Sequence, residues 1–100
     1  MAFQPVCTVS QLPPGTLVDV TINDKQLAIC NIEGTIHAMD GICPHRNGPL
    51  GQGALHGTMV VCPWHAWEFD CTTGRHDYNP SLRLETYAVK VAGDDILVDL

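Results

Sequence analysis

Apolar and polar positions follow one another in short runs along this chain, and no stretch keeps a 3.6-residue apolar period for three helical turns. Residues 17–22 alternate and predict a strand. Residues 26–31 and 35–39 predict two more, joined by a hairpin turn at Glu33-Gly34, with Asn23-Asp24 turning the chain before them. Residues 3–9 form a short apolar run with Pro5 near its start, which suits an edge strand because proline cannot donate to a ladder. Pro13-Pro14-Gly15 is a turn. Further on, 55–56 and 59–61 flank a turn at Gly57-Thr58, and 67–70 predicts a strand ending before a turn at 72–74. Residues 76–81, with Asn79-Pro80, read as irregular, and 84–91 with 95–100 predict a closing hairpin across Gly93-Asp94. The pattern is that of an all-β protein of short strands with little helix.

Composition narrows the class. One hundred residues suffice for one domain with one modest core, and 45% hydrophobic content argues against disorder. A net charge of −6 with only five basic residues argues against nucleic-acid binding. It fits both plain solubility and electrostatic steering toward a basic face on a partner. No run approaches the roughly 18 apolar residues of a membrane span, and the first residues lack the basic start and apolar core of a signal peptide. The expected location is the cytoplasm.

The chemistry concentrates in two knots. Cys43-Pro44-His45 reads C-x-H, and Cys62-Pro63-Trp64-His65 reads C-x-x-H. Each knot offers one thiolate and one imidazole. Four such ligands suit a tetrahedral zinc site. They equally suit a [2Fe-2S] cluster whose irons are held by two cysteines and two histidines respectively. The second arrangement needs each loop to give one ligand to each iron, which this division of residues allows. Both loops place proline after cysteine, and Gly41, Gly48, Gly51 and Gly53 supply the backbone freedom expected of tight loops. Of the five cysteines, Cys7, Cys30 and Cys71 remain as expected free thiols. His37, His56 and His76 lack ligand spacing and read as ordinary strand or surface residues.

The run from Cys43 through Leu50, followed by Cys62-Pro63-Trp64-His65-Ala66-Trp67-Glu68-Phe69-Asp70 and Thr73-Gly74, resembles the two cluster-binding loops of Rieske proteins. The resemblance covers essentially the whole chain. It implies a [2Fe-2S] cluster ligated by Cys43, His45, Cys62 and His65. It also implies a Rieske fold: antiparallel sheets forming a small barrel or sandwich, one Rieske domain over 1–100, with residues 41 to about 77 as a cluster-binding subdomain. Respiratory members carry an extra cysteine in each loop that forms a disulfide, and the matching positions here are Gly48 and Trp64. Those members also donate Ser and Tyr hydroxyls to cluster sulfur, where this chain has Trp67 and Phe69. Fewer donors leave the reduced cluster less stabilised, so the expected potential lies near the low end of the Rieske range, roughly −150 mV.

By this resemblance the chain is similar to the Rieske-type ferredoxins that serve bacterial ring-hydroxylating dioxygenases. The implied function is one-electron transfer from a flavin-dependent NAD(P)H reductase to a terminal oxygenase, with no catalysis of its own. The histidines would lie near solvent, and Pro44, Pro63 and Trp64 would form an apolar collar, with Trp64 either a docking contact or a lid over the cluster. Three other readings stay open: the small Rieske-like subunit of an assimilatory nitrite reductase, a structural Cys₂His₂ zinc module for protein binding, and a Rieske domain with a sensing role.

Overall fold

The computed structural model describes residues 2–44, 47–64, 67–79 and 81–100. Strands dominate, and the helical residues among those described are two single 3-10 turns, Val9–Gln11 and Leu50–Gln52. No helix of the described residues is long and apolar enough to cross a membrane.

The centre is a four-stranded antiparallel sheet, ordered β2 (Leu17–Ile22), β3 (Lys25–Ile32), β4 (Thr35–Asp40) and β8 (Thr86–Tyr87). Its hairpins close through two-residue turns. Asn23 and Asp24 adopt φ of 51° and 62°, and Glu33 and Gly34 adopt 53° and 94°. Positive φ at both turn residues matches the right-handed twist of the flanking strands. A second sheet sets β10 (Asp95–Asp99) between β1 (Phe3–Thr8) and β9 (Val89–Ala92). Pro5 sits on β1, at the edge of that sheet, next to a register shift between Pro5 and Cys7. The third sheet is the meander β5 (Ala54–His56), β6 (Met59–Val61) and β7 (Glu68–Asp70).

β3 explains why the sheets stack. Leu27 to Asn31 are all buried, and alternate residues face opposite layers. Leu27 and Ile29 join Leu12, Ala38, Ile96 and Val98 toward the second sheet. Ala28 and Cys30 join Met39, Val60 and Phe69 toward the third. The central sheet is therefore sandwiched between two cores.

Two expectations need correction. Residues 84–91 do not make one strand. The chain leaves the central sheet after Tyr87 and enters the second at Val89, with the Ala88 carbonyl accepting the Asp99 N–H at 3.0 Å. No glycine or proline marks this crossing, which tertiary pairing alone sets. The Tyr87 hydroxyl pins the short β8 by donating to Asp40 at 2.6 Å, and burial followed by the Asp40 carboxylate pushes its phenol up. The second correction concerns the thiols. Cys7 is free, but Cys30 and Cys71 are joined as a disulfide in the core. They stand 41 residues apart, so no local pattern announces the pairing. Closing a loop of that length contributes about 4 kcal/mol by the chain-entropy account.

Candidate metal centre

Each cysteine of the two knots is held at the base of a self-closed loop. In the first loop the Cys43 N–H donates to the Gly48 carbonyl at 2.8 Å, and the Asn47 N–H donates back to the Cys43 carbonyl at 2.7 Å. Asn47 takes the positive φ, 58°, that lets so short a loop reverse. Ile42 bridges to Pro49, and the Leu50 N–H donates to the Gly41 carbonyl at 2.8 Å. The second loop joins β6 to β7, and the Cys62 N–H donates across its base to the Trp67 carbonyl at 2.7 Å.

The structure brings Cys43 and Cys62 together. Both are buried, unbonded to each other, and their sulfurs lie within hydrogen-bonding reach. Burial pushes the Cys62 thiol up, the Trp64 backbone N–H pulls it down, and the neighbouring Cys43 raises it again. His45 and His65 lie outside the described residues. Among the described residues no group of three or more potential metal ligands gathers.

The glycines act through closeness. Of the four expected to lend backbone freedom, none adopts positive φ. A Cβ on Gly48 would stand 2.8 Å from the Cys62 sulfur and 3.4 Å from the Trp64 Cβ. Hydrogen at this position leaves the space beside the sulfur open and lets the two loops face each other. Gly48 and Trp64, where the resemblance sets the absent disulfide, are thus neighbours. Two soft sulfur donors, a cradle that a methyl group would fill, and an imidazole two or three residues after each cysteine fit an iron–sulfur centre.

Beneath the second loop lies an aromatic stack that sequence reasoning missed. His76 meets Trp67 edge-on at 4.7 Å and Phe69 at 5.2 Å between ring centroids. Its side chain is only 8% exposed. Nδ1 accepts the Tyr78 and Asn79 backbone N–H groups at 3.2 and 3.1 Å, so the neutral ring carries its proton on Nε2. That nitrogen is buried with no hydrogen-bond partner among the described residues. The ring's hydrogen bonds hold residues 76–79 together, its edge contacts tie them to Trp67 and Phe69, and a Phe69–His76 bridge sets them beside the third sheet. His37 and His56 lie on β4 and β5 as expected. Nothing local distinguished His76 from them.

Around the mouth of the loops, Ile42, Pro44, Pro63 and Trp64 are exposed, Ile42 by 43% and Trp64 by 50%. Two clefts elsewhere, of about 320 and 360 Å³, are lined by neither cysteine nor histidine.

A small antiparallel β-protein carrying two facing loops, each with a buried cysteine at its base, defines a metal- or cluster-binding β-fold. Comparison with known proteins resolves which. Residues 2–88 match the Rieske [2Fe-2S] domain, and the chain belongs to that family. It is 36% identical over 91 residues to the ferredoxin component of the naphthalene 1,2-dioxygenase system of Pseudomonas aeruginosa, covering 90% of this chain and 88% of that one. Among solved structures, the ferredoxin of Sphingomonas yanoikuyae B1 superposes with a TM-score of 0.89 at 29% identity, over 99% of each chain. A chain from a complex of reduced oxygenase and oxidised ferredoxin in carbazole 1,9a-dioxygenase superposes with a TM-score of 0.86 at 26% identity, over 96% of this chain and 91% of that one. The cofactor of the family, and of this chain, is a [2Fe-2S] cluster.

Proposed function

We propose that this protein is a one-electron carrier that takes electrons from a flavin-dependent NAD(P)H reductase and delivers them to a terminal oxygenase in the cytoplasm. The observation that carries this reading is the juxtaposition of the Cys43 and Cys62 sulfurs in loops whose sequence supplies one histidine each. Cys43 and Cys62 would hold one iron, His45 and His65 the other, within a cluster-binding subdomain over about 41–77 of one Rieske domain. When bound, the cluster supplies a one-electron couple that makes and breaks no covalent bond. Ferredoxin relatives from dioxygenase systems, one of them solved with its oxygenase, support the oxygenase as partner. An electron paramagnetic resonance spectrum of the dithionite-reduced protein tests the ligation. A rhombic signal with average g below that of an all-cysteine cluster is expected. A silent, colourless protein holding zinc would end the reading.

The chain's own residues set the poise. Phe69 is fully buried in the core that holds both cysteines and offers no donor to sulfur. Phe69→Tyr should raise the midpoint potential by tens of millivolts, since ~1 kcal/mol of preferential stabilisation is ~40 mV for one electron. An unchanged potential in a folded, fully loaded variant would show that hydrogen bonding here does not govern it.

The exposed apolar rim is the docking face. Trp64→Ala should slow electron delivery to the oxygenase roughly tenfold while leaving the potential within a few millivolts, as expected for loss of an aromatic contact worth ~1–2 kcal/mol. Stopped-flow transfer and redox titration separate the alternatives. A shifted potential with faster cluster loss would make Trp64 a lid.

A further inference from the structure

We propose that Cys30 and Cys71 form a redox-dependent strap beneath the cluster loops, and that closing it slows loss of the cluster. The inference rests on the two loops holding the cluster. Cys30 lies on β3 opposite His37 of β4, the strand that runs into the first loop at Gly41. Cys71 follows β7, the strand that leaves the second loop. Its N–H donates to the Thr58 carbonyl at 2.9 Å, which fixes it to the β5–β6 turn. The first loop leaves the central sheet and runs on toward β5, the second joins two strands of the third sheet, and those two sheets share no strand. At the mouth, the facing residues Gly48 and Trp64 offer no thiol. The Cys30–Cys71 bond is the disulfide among the described residues, and it joins β3 of the central sheet to the end of β7 in the third. Its sulfurs lie in the same buried cluster of side chains as Cys43 and Cys62.

Cys30 and Cys71 are at most 1% exposed, which shuts out protein-sized oxidants and leaves small ones such as hydrogen peroxide. One cysteine sulfur attacks a peroxide oxygen, the O–O bond breaks, and a sulfenic acid and water result. The second sulfur displaces the sulfenic oxygen, which leaves as water with the remaining thiol proton. Two thiols and one peroxide give one disulfide and two waters, with two electrons passing from sulfur to oxygen. A small dithiol returns the pair to thiols by exchange when local opening of the fold exposes the bond. The strap thus closes under the conditions that threaten an iron–sulfur cluster.

The test uses the holoprotein in two portions, one equilibrated with dithiothreitol and one with a slight excess of hydrogen peroxide. Acid quenching, alkylation and peptide mapping should find Cys30 linked to Cys71 only in the second portion. That portion should show a melting temperature higher by roughly 15–30 °C. It should also lose its visible absorbance to a chelator roughly tenfold more slowly. The variant C30A/C71A should abolish both differences. If it does not fold, the two wild-type portions decide the matter alone. No linked peptide after peroxide, or a linked peptide with equal bleaching rates, would overturn the proposal. A protein colourless in both portions would strike the cluster-ligand reading, and the cluster-retention claim with it, while mapping and melting would still report whether the bond forms.

Discussion

Replacing His45 with cysteine is expected to lower the midpoint potential by about 100 mV, or to leave the protein without its cluster. The reason is charge. Two ferric irons, two sulfides and two thiolates sum to zero, because neutral imidazoles add nothing, and reduction leaves a single negative charge. Each imidazole exchanged for a thiolate adds one negative charge to both oxidation states, which makes an arriving electron costlier. Four-cysteine clusters of the plant type sit near about −400 mV, against roughly −150 mV at the low end of the mixed-ligand range. One exchange of two should cover about half that gap. Redox titration of the loaded variant gives the answer directly. An unshifted potential would remove His45 from the ligand set, and the same measurement on His65→Cys decides the other loop.

Gly48→Ala should cost the protein at least half of its bound iron, measured colorimetrically per chain, and Gly48→Val nearly all of it. The added Cβ would stand 2.8 Å from the Cys62 sulfur, closer than real Cβ atoms come. Neither partner can retreat freely. The Gly48 carbonyl holds the Cys43 N–H at 2.8 Å, and the Cys62 N–H is tied to Trp67 at 2.7 Å, so widening the gap breaks the base of one loop. Overpacking of this kind typically costs 1–3 kcal/mol even where the surroundings can shift. Trimming Trp64 to alanine in the same protein should not rescue it, because the sulfur contact is the shorter one. Full iron occupancy in Gly48→Val would mean that the loops do not need this approach.

The sequence was most readable where structure is local. The alternation of 17–22 and the turn pairs Asn23-Asp24 and Glu33-Gly34 marked the central meander, because period-two patterning and positive-φ turns act over a few residues. Cys43 and Cys62, which the structure brings together, stood out for the same reason, as each heads a short motif. What stayed hidden depends on distant pairing. The crossing at Ala88 divides between two sheets a stretch that no glycine or proline interrupts. The Cys30–Cys71 bond closes 41 residues. His76 is buried by Trp67 and Phe69, which lie across the sheet from it. The loop glycines were found for the wrong reason, since crowding by a facing chain leaves no trace in one's own φ.

The double-sided burial of β3 changes what holds the central sheet in alignment. In a half-exposed strand, slipping the pairing by one residue would turn apolar side chains out to water, and that penalty fixes the match. Here a slip would exchange Leu27 and Ile29 with Ala28 and Cys30, and both sets would remain dry. Hydrophobicity alone cannot tell the two alignments apart. Side-chain volume can, because two large residues would press into the layer beneath the loops while two small ones left voids on the other side. The tight turns at 23–24 and 33–34 remove the ambiguity by allowing one pairing on each flank. Exposed residues far from the metal loops thereby decide which side chains reach them.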